Sequence, residues 1–408
     1  MSFVTDYIIN GAPQGAVAEA MSGVRFDPGL MRPYYDAKGR PSVTVNTGRM
    51  VTRKDDKGQP VVNKRGEPIL FPEYRQELIA NLVARGVQSP VFNSTTLRRD
   101  EWMMIDTAVI RASRDRLRAW ADLSQANTFG GFNGMSKLGL VRESMTDPGQ
   151  AVVDMDGMTP GQADGPLFTP DILPLPITHA DFWLSSRRLA ESRNTGTPLD
   201  TTLAEACGRR VAEAVEKMTI GKTDLSSLVV GTSSEFTRRG VYGYITHPDR
   251  ITKTDLTTPT GSNPDDVLQD VLEMRQLAYA QKFFGPFMLY HSTDYDTYLD
   301  NDYYDITTSG AVAPTQTLRE RIKKIEGITD VRRLDLLDNT FTLILVQMTS
   351  DVCRAVNGMD ITTLQWESHG GMRINFKVMA IQVPDIRAQY VGTSTSTRKV
   401  GIVHATTG

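Results

Sequence analysis

Two cysteines, Cys207 and Cys353, are all that 408 residues contain, too few for a disulfide framework or a four-ligand zinc site. The simplest reading is a protein of a reducing compartment. No apolar run approaches the roughly 18 residues of a membrane-spanning helix. Residues 1–21 have no basic stretch followed by an apolar one of the secretory kind, so neither membrane insertion nor export is expected. Net charge is scarce as well: 45 Lys+Arg against 48 Asp+Glu gives −3. That balance argues against a nucleic-acid binder over the whole surface, because neutralising phosphates takes an excess of cations. Any basic surface must be local. Histidine is sparse and scattered: His179, His247, His291, His369 and His404 include no i, i+4 pair, which removes the helical two-histidine zinc motif.

Catalytic constellations are equally thin. The stretch Gly130-Gly131-Phe132-Asn133-Gly134-Met135-Ser136-Lys137 has the glycines of a phosphate loop, but its Lys follows the Ser where that loop needs the reverse order. It also follows a predicted helix where a strand should stand, so it reads as a hinge. Asp300-Asn301-Asp302-Tyr303-Tyr304-Asp305 offers oxygen donors yet lacks the Gly and Glu that an EF-hand loop places at its sixth and twelfth positions. A solvated loop is the simpler reading. No Gly-x-Ser-x-Gly elbow occurs. The residues therefore give no reason to expect an enzyme, a cofactor or a metal.

What is present is a globular mixture, 40% apolar and 23% charged, in a chain long enough for two or three domains. Residues 1–90 are broken by Gly, Pro and charge, with short strands predicted at 42–46 and 60–63. Ten Lys/Arg face five acids between positions 31 and 75. A lone hairpin is marginally stable in water, so this basic arm should gain order by lying on something else. A first helix is predicted from about 97 to 123, with Trp102, Ile105, Val109, Leu117 and Trp120 at three- and four-residue steps. A second starts near Thr202, where Thr202 and Glu205 have capping-box spacing, and ends at Gly221. Its apolar stripe is Leu203, Cys207, Val211, Ala214, Val215 and Met218, with Arg209, Arg210, Glu213 and Glu216 falling away from it.

Between these helices, residues 138–180 hold six prolines, five glycines and six acids against a single cation, Arg142. Such a stretch cannot pack as a core of its own, and so long a loop inside a compact domain is unusual. Its two ends alternate like paired strands, which predicts a two-stranded ribbon. Beyond Gly221 the pattern is mixed α and β. Helices are predicted at 264–282, 293–299 and 318–325, and strands at 287–290, 331–334, 341–346, 364–367 and 372–383, the last stopped by Pro384.

Five segments stand out: Asp100-Glu101-Trp102-Met103-Met104-Ile105-Asp106, Phe182-Trp183-Leu184-Ser185-Ser186-Arg187-Arg188-Leu189, Pro198-Leu199-Asp200 leading into the second helix, Phe287-Met288-Leu289-Tyr290, and Asp351-Val352-Cys353-Arg354-Ala355-Val356-Asn357-Gly358. In their pattern and order they resemble the HK97-like shell proteins, the fold of tailed-phage major capsid proteins and of encapsulins. The resemblance implies an α+β fold in six parts. These are an N-terminal arm with a small hairpin (1–90), the P-domain's first helix (91–137), an E-loop (138–180), the P-domain with its spine helix (181–239), an A-domain (240–345), and return strands with a C-terminal tail (346–408). It implies a non-enzymatic major capsid protein that assembles with itself into an icosahedral shell of hexamers and pentamers around double-stranded DNA. Portal, scaffold and decoration proteins are then partners, and the location is the virion, assembled in the host bacterial cytoplasm. An encapsulin nanocompartment holding cargo enzymes is the alternative.

Within that frame the E-loop acids Glu143, Asp147, Asp154, Asp156, Asp164 and Asp171 are interface candidates, with Arg187, Arg188, Arg209 and Arg210 as their counterparts on a neighbour. Arg32, Arg40, Arg49, Arg53 and Lys54 are candidates for a clamp on the arm. Some HK97-like shells join an E-loop lysine to a neighbour's asparagine, but no lysine occurs from 138 through 216. Non-covalent overlap is expected.

Overall fold

The computed structural model describes residues 34–38, 40–52, 70–78, 97, 99–114, 117–145, 153–156, 168–195, 201–228, 240–260, 264–303, 316–337, 341–390 and 398–407. In chain order the strands are β1 Tyr34–Tyr35, β2 Pro41–Thr52, β3 Leu70–Leu78, β4 Thr128–Phe129, β5 Gly139–Met145, β6 Phe168–Pro174, β7 Thr178–Ser185, β8 Ile251–Lys253, β9 Phe287–His291, β10 Asp302–Tyr303, β11 Gln316–Thr317, β12 Ile328–Arg333, β13 Thr342–Gln347, β14 Cys353–Ser368, β15 Arg373–Ile386, β16 Gln389–Tyr390, β17 Arg398–Lys399 and β18 Ile402–Thr406. The helices are α1 Arg99–Arg114, α2 Ala119–Ala126, α3 Ser186–Thr195, α4 Thr202–Ile220, α5 Pro264–Ala280, α6 Asp296–Asp300 and α7 Leu318–Lys323. The fold class is α+β, in the order that the resemblance implies: hairpin arm, helix, ribbon, long helix, mixed body. Sheets run β1-β2-β3, β12-β9-β13-β18-β8 and β4-β14-β15-β7, with two-stranded pairs β5-β6, β10-β11 and β16-β17.

The chain divides into two compact units. The first comprises residues 1–113, 179–210 and 361–379. In its arm, β2 pairs antiparallel with β3 in the register Ser42↔Leu78 to Thr52↔Leu70, with an irregularity between Asn46 and Met50. The expected second strand at 60–63 lies outside the described residues, and β3 was not foreseen. Its Pro72 and alternating charges hide a strand that only pairing reveals. On α1, Trp102, Ile105 and Val109 are buried at helical spacing. Phe182 of β7 stacks on Phe376 of β15, centroids 4.7 Å apart, and the Glu101 carboxylate accepts two hydrogen bonds of 2.8 Å from Arg193. Gly208 of α4 backs onto Val109, where a Cβ would stand 2.7 Å from the carbonyl oxygen.

The second unit comprises residues 114–178, 211–360 and 380–408. Its centre is the five-stranded sheet. β13 is flanked antiparallel by β9 and β18, while β12 and β8 join the outer sides in parallel. Every residue of β13 is buried, the mark of a strand covered on both faces. Val271 and Met274 of α5, Ile322 of α7, and Leu289, Leu345 and Val403 share its core. A smaller cluster gathers Leu173, Leu175, Met218, Val241, Val356, Ile381 and Val383, with Leu140 packed against it. This cluster roots the ribbon.

Three expectations are corrected. The first helix does not run to 123: α1 ends at Arg114 and α2 starts at Ala119. At that new start the backbone N–H groups of Ala119 and Trp120 donate to the Glu216 carboxylate at 2.6 and 3.1 Å. Second, the buried stripe of α4 is turned by about one residue, through Ala204, Gly208, Val211, Ala212, Val215, Glu216 and Thr219, leaving Leu203 48% exposed. Glu216, expected on the polar face, is thus a buried cap. At the start of that helix the Thr201 hydroxyl donates to the Glu205 carboxylate at 3.2 Å. Third, β15 continues through Pro384 to Ile386.

Candidate assembly interface

The ribbon is the element least able to exist for its own sake. β5 and β6 pair in unbroken register from Gly139↔Pro174 to Met145↔Phe168. Pro170 and Pro174 are tolerated because each strand of a two-stranded ribbon keeps one edge unpaired, where a missing N–H costs no ladder bond. The pairing puts Arg142 opposite Asp171 and Ser144 opposite Thr169, a polar face. On the other side Val141 is 60% and Phe168 55% exposed, and in the sequence between the two strands Met155 is 99% exposed.

The polar face is bound within the unit. Asp171 is 1% exposed and accepts two hydrogen bonds from the Arg398 guanidinium, whose Nη2 also donates to the Ser144 hydroxyl at 3.1 Å. Arg142 pairs with Asp385. Asp385 in turn accepts from Arg354 at 2.7 Å. The Tyr390 hydroxyl meets that of Thr169 at 2.7 Å. Burial, reinforced by the guanidinium groups of Arg387, Arg398 and Arg354, pushes Arg142 down to about 10 despite the pull of Asp171; it stays cationic at neutral pH. For Arg398 burial acts in the same direction, but the Asp171 carboxylate outweighs it and raises the group. Bidentate guanidinium–carboxylate pairs fix direction as well as distance.

The interface candidates therefore separate. Asp171 is corrected: its carboxylate is buried on Arg398 and does not face outward. Glu143 is exposed on the ribbon, Asp154 and Asp156 are exposed in the described stretch between its strands, and Arg187 and Arg188 at the start of α3, with Arg209 and Arg210 on α4, are exposed too. Asp147 and Asp164 lie outside the described residues. Of the arm candidates, Arg40 folds back onto Asp36 of its own turn, Nε to Oδ2 3.0 Å. Arg32, Arg53 and Lys54 lie outside the described residues, as does the side chain of Arg49. Asp385, Arg398 and Tyr390 were missed by sequence reading. The one signal was a carboxylate closing the long apolar run of β15.

Elsewhere in the second unit an open cleft of about 450 Å³ is lined by Arg118, Asp122, Asp296, Arg319, Arg332 and Arg333 among others. Its charges satisfy one another: Arg319 reaches Asp296 and Asp300, Arg332 reaches Asp330 and Asp122, Arg333 reaches Asp296 and Asp335, and Arg118 reaches Asp335. Behind it Tyr290 donates to Asp122 at 3.0 Å. In the hinge motif the Asn133 carboxamide oxygen accepts from the Met135 N–H at 3.0 Å, inside the loop itself. Among the described residues no group of three His, Cys, Asp or Glu is placed to hold a metal ion, and no helix is long and apolar enough to cross a membrane.

Among solved structures the chain is similar to a virus-like particle from Pyrococcus furiosus, at 16% identity and TM-score 0.49, over 74% of this chain and 97% of that one. It is similar to the capsid of Myoviridae phage XM1 at 9% identity and TM-score 0.48, over 70% and 90%. The capsid of a native GTA particle is similar at 11% identity and TM-score 0.45, over 72% and 91%. No curated protein sequence matches. The model of the family of unknown function DUF6260 matches residues 92–397, and the chain belongs to that family.

Proposed function

We propose that the protein is a shell-forming subunit of the HK97-like type, a capsid protein that assembles with copies of itself. The observation that carries this reading is the two-faced ribbon. One face is held by its own unit, while the other presents Val141 and Phe168 to solvent, and an exposed apolar strand pair is a surface that another chain covers. Glu143, Asp154 and Asp156 then meet cations of a neighbour, with Arg187, Arg188, Arg209 and Arg210 the matching exposed groups. Each such pair contributes at most about 1 kcal/mol, so burial of the apolar face dominates. With no lysine from 138 through 216, the overlap is non-covalent.

In this frame residues 138–180 are the E-loop, 91–137 and 181–239 the P-domain with α4 as its spine, 240–345 the A-domain, and 346–408 the return strands and tail. Hexamers and pentamers close an icosahedral shell. The basic arm of residues 1–90 favours a tailed-phage capsid enclosing double-stranded DNA over a cargo-holding encapsulin, because its cations suit phosphates or a neighbour's acids. Portal, scaffold and decoration proteins follow as partners, and the virion as location, after assembly in the bacterial cytoplasm. Negative-stain imaging of the purified protein should show closed particles, and those made in an infected host should protect DNA from nuclease. A monodisperse monomer at every concentration and salt would refute the shell, and particles filled with protein alone would favour the encapsulin.

A further inference from the structure

The ribbon's polar face is held by a segment distant in sequence. Residues 385–390 and Arg398 supply Asp385 to Arg142, the Ala388 carbonyl to the Ser144 hydroxyl at 3.4 Å, Tyr390 to Thr169, and Arg398 to Asp171 and Ser144. β16 and β17 pair with each other, Gln389↔Lys399 and Tyr390↔Arg398. Two cross-strand pairs on one face of the ribbon are thus gripped, Arg142/Asp171 and Ser144/Thr169.

The composition of this grip is informative. Holding a strand pair against a protein body needs only apolar packing, and the chain uses that at the ribbon's root, where Leu140 and Leu173 join the smaller cluster. Further out it buries two arginines and two aspartates. Replacing buried ion pairs by apolar groups is often neutral or stabilising, so such pairs add little net stability and are best explained by the single geometry they specify. Apolar packing lets a ribbon slide or rock, whereas a bidentate pair admits one orientation.

We infer that residues 385–390 together with Arg398 form a strap that sets the direction of the β5–β6 ribbon, with Arg398 and Asp385 as its positioning residues. What that direction serves rests on the shell reading: a ribbon that must land on a neighbour gains from being aimed beforehand, since ordering it at the moment of contact would subtract from the binding energy.

The test reads the purified full-length subunit by hydrogen exchange, comparing amides of β5 with those of β13, and reads assembly by sedimentation. R398Q should speed exchange in β5 about tenfold while β13 keeps its rate, because only the strapped element opens locally. The yield of particles should fall with it. In D171N/R398Q the Arg398–Asp171 pair is removed as a whole while Arg142 keeps Asp385, and fast β5 exchange should persist, which separates loss of the strap from the harm of a lone carboxylate. Wild-type β5 exchange in either variant overturns the inference. Equal acceleration in β13 also overturns it, since the pair would then be a general support of the fold. If β5 alone accelerates but the wild-type chain never forms particles, the strap stands and the shell reading fails.

Discussion

Gly208 and Val109 approach so closely that a methyl group on Gly208 would stand 2.7 Å from the Val109 carbonyl oxygen and 3.1 Å from its Cα. Glycine inside a helix costs about 1 kcal/mol relative to alanine, so its presence in the middle of α4 marks backbone-to-backbone contact. Gly208→Ala should therefore destabilise the protein by about 1–3 kcal/mol, the usual cost of overpacking, despite the gain in helix propensity. Denaturant unfolding checks this, and a more stable variant would show that the two backbones yield easily.

Glu216 makes stability depend on pH in a direction opposite to most carboxylates. Burial raises it to about 7, against the hydrogen bonds from Ala119, Trp120 and Arg118 that pull it down, with Asp122 adding to the rise. A carboxyl with a raised folded-state pKa binds its proton more tightly folded than unfolded. Its contribution is complete below the ordinary value of 4.5 and is lost as pH climbs through about 7. Glu216→Gln should remove that slope, worth about 3 kcal/mol between pH 4.5 and 8. Thermal melts of both proteins across that range provide the comparison; parallel curves would refute the assignment.

Phe168→Glu, on the exposed ribbon face, should leave subunit stability within about 0.5 kcal/mol, as surface changes do, while sharply reducing particle yield. Normal particles would mean that this face is not covered in the assembly.

The element types and most of their order were legible in the sequence, because α4, the ribbon strands and β13 announce themselves through local periodicity and capping. What escaped depends on partners far along the chain. Nothing near Glu216 says that it will cap Ala119, 97 positions away, and nothing near Asp171 distinguishes it from Glu143, although one is buried and the other exposed. An alternating charged strand such as β3 is equally silent until β2 is laid beside it. At the candidate interface the exposed acids and arginines were readable; the strap was not.

Removing residues 1–78, which include β1, β2 and β3, should lower the salt concentration at which particles dissociate while leaving unfolding of the rest of the subunit unchanged. Interactions among exposed charges weaken as salt shortens their range to about 8 Å at physiological strength. Sedimentation across a salt series checks this, and identical dissociation profiles would relieve the arm of any clamping role.

Asp171 and Arg398 are separated by 227 positions, so the ribbon leaves the ribosome well before the residue that grips it. At about 5–20 residues per second the interval is roughly 10–45 s. Neighbouring nascent chains on one message thus carry ribbons without Arg398. On the shell reading, completion of synthesis is the step that aims the ribbon, and assembly draws on finished chains.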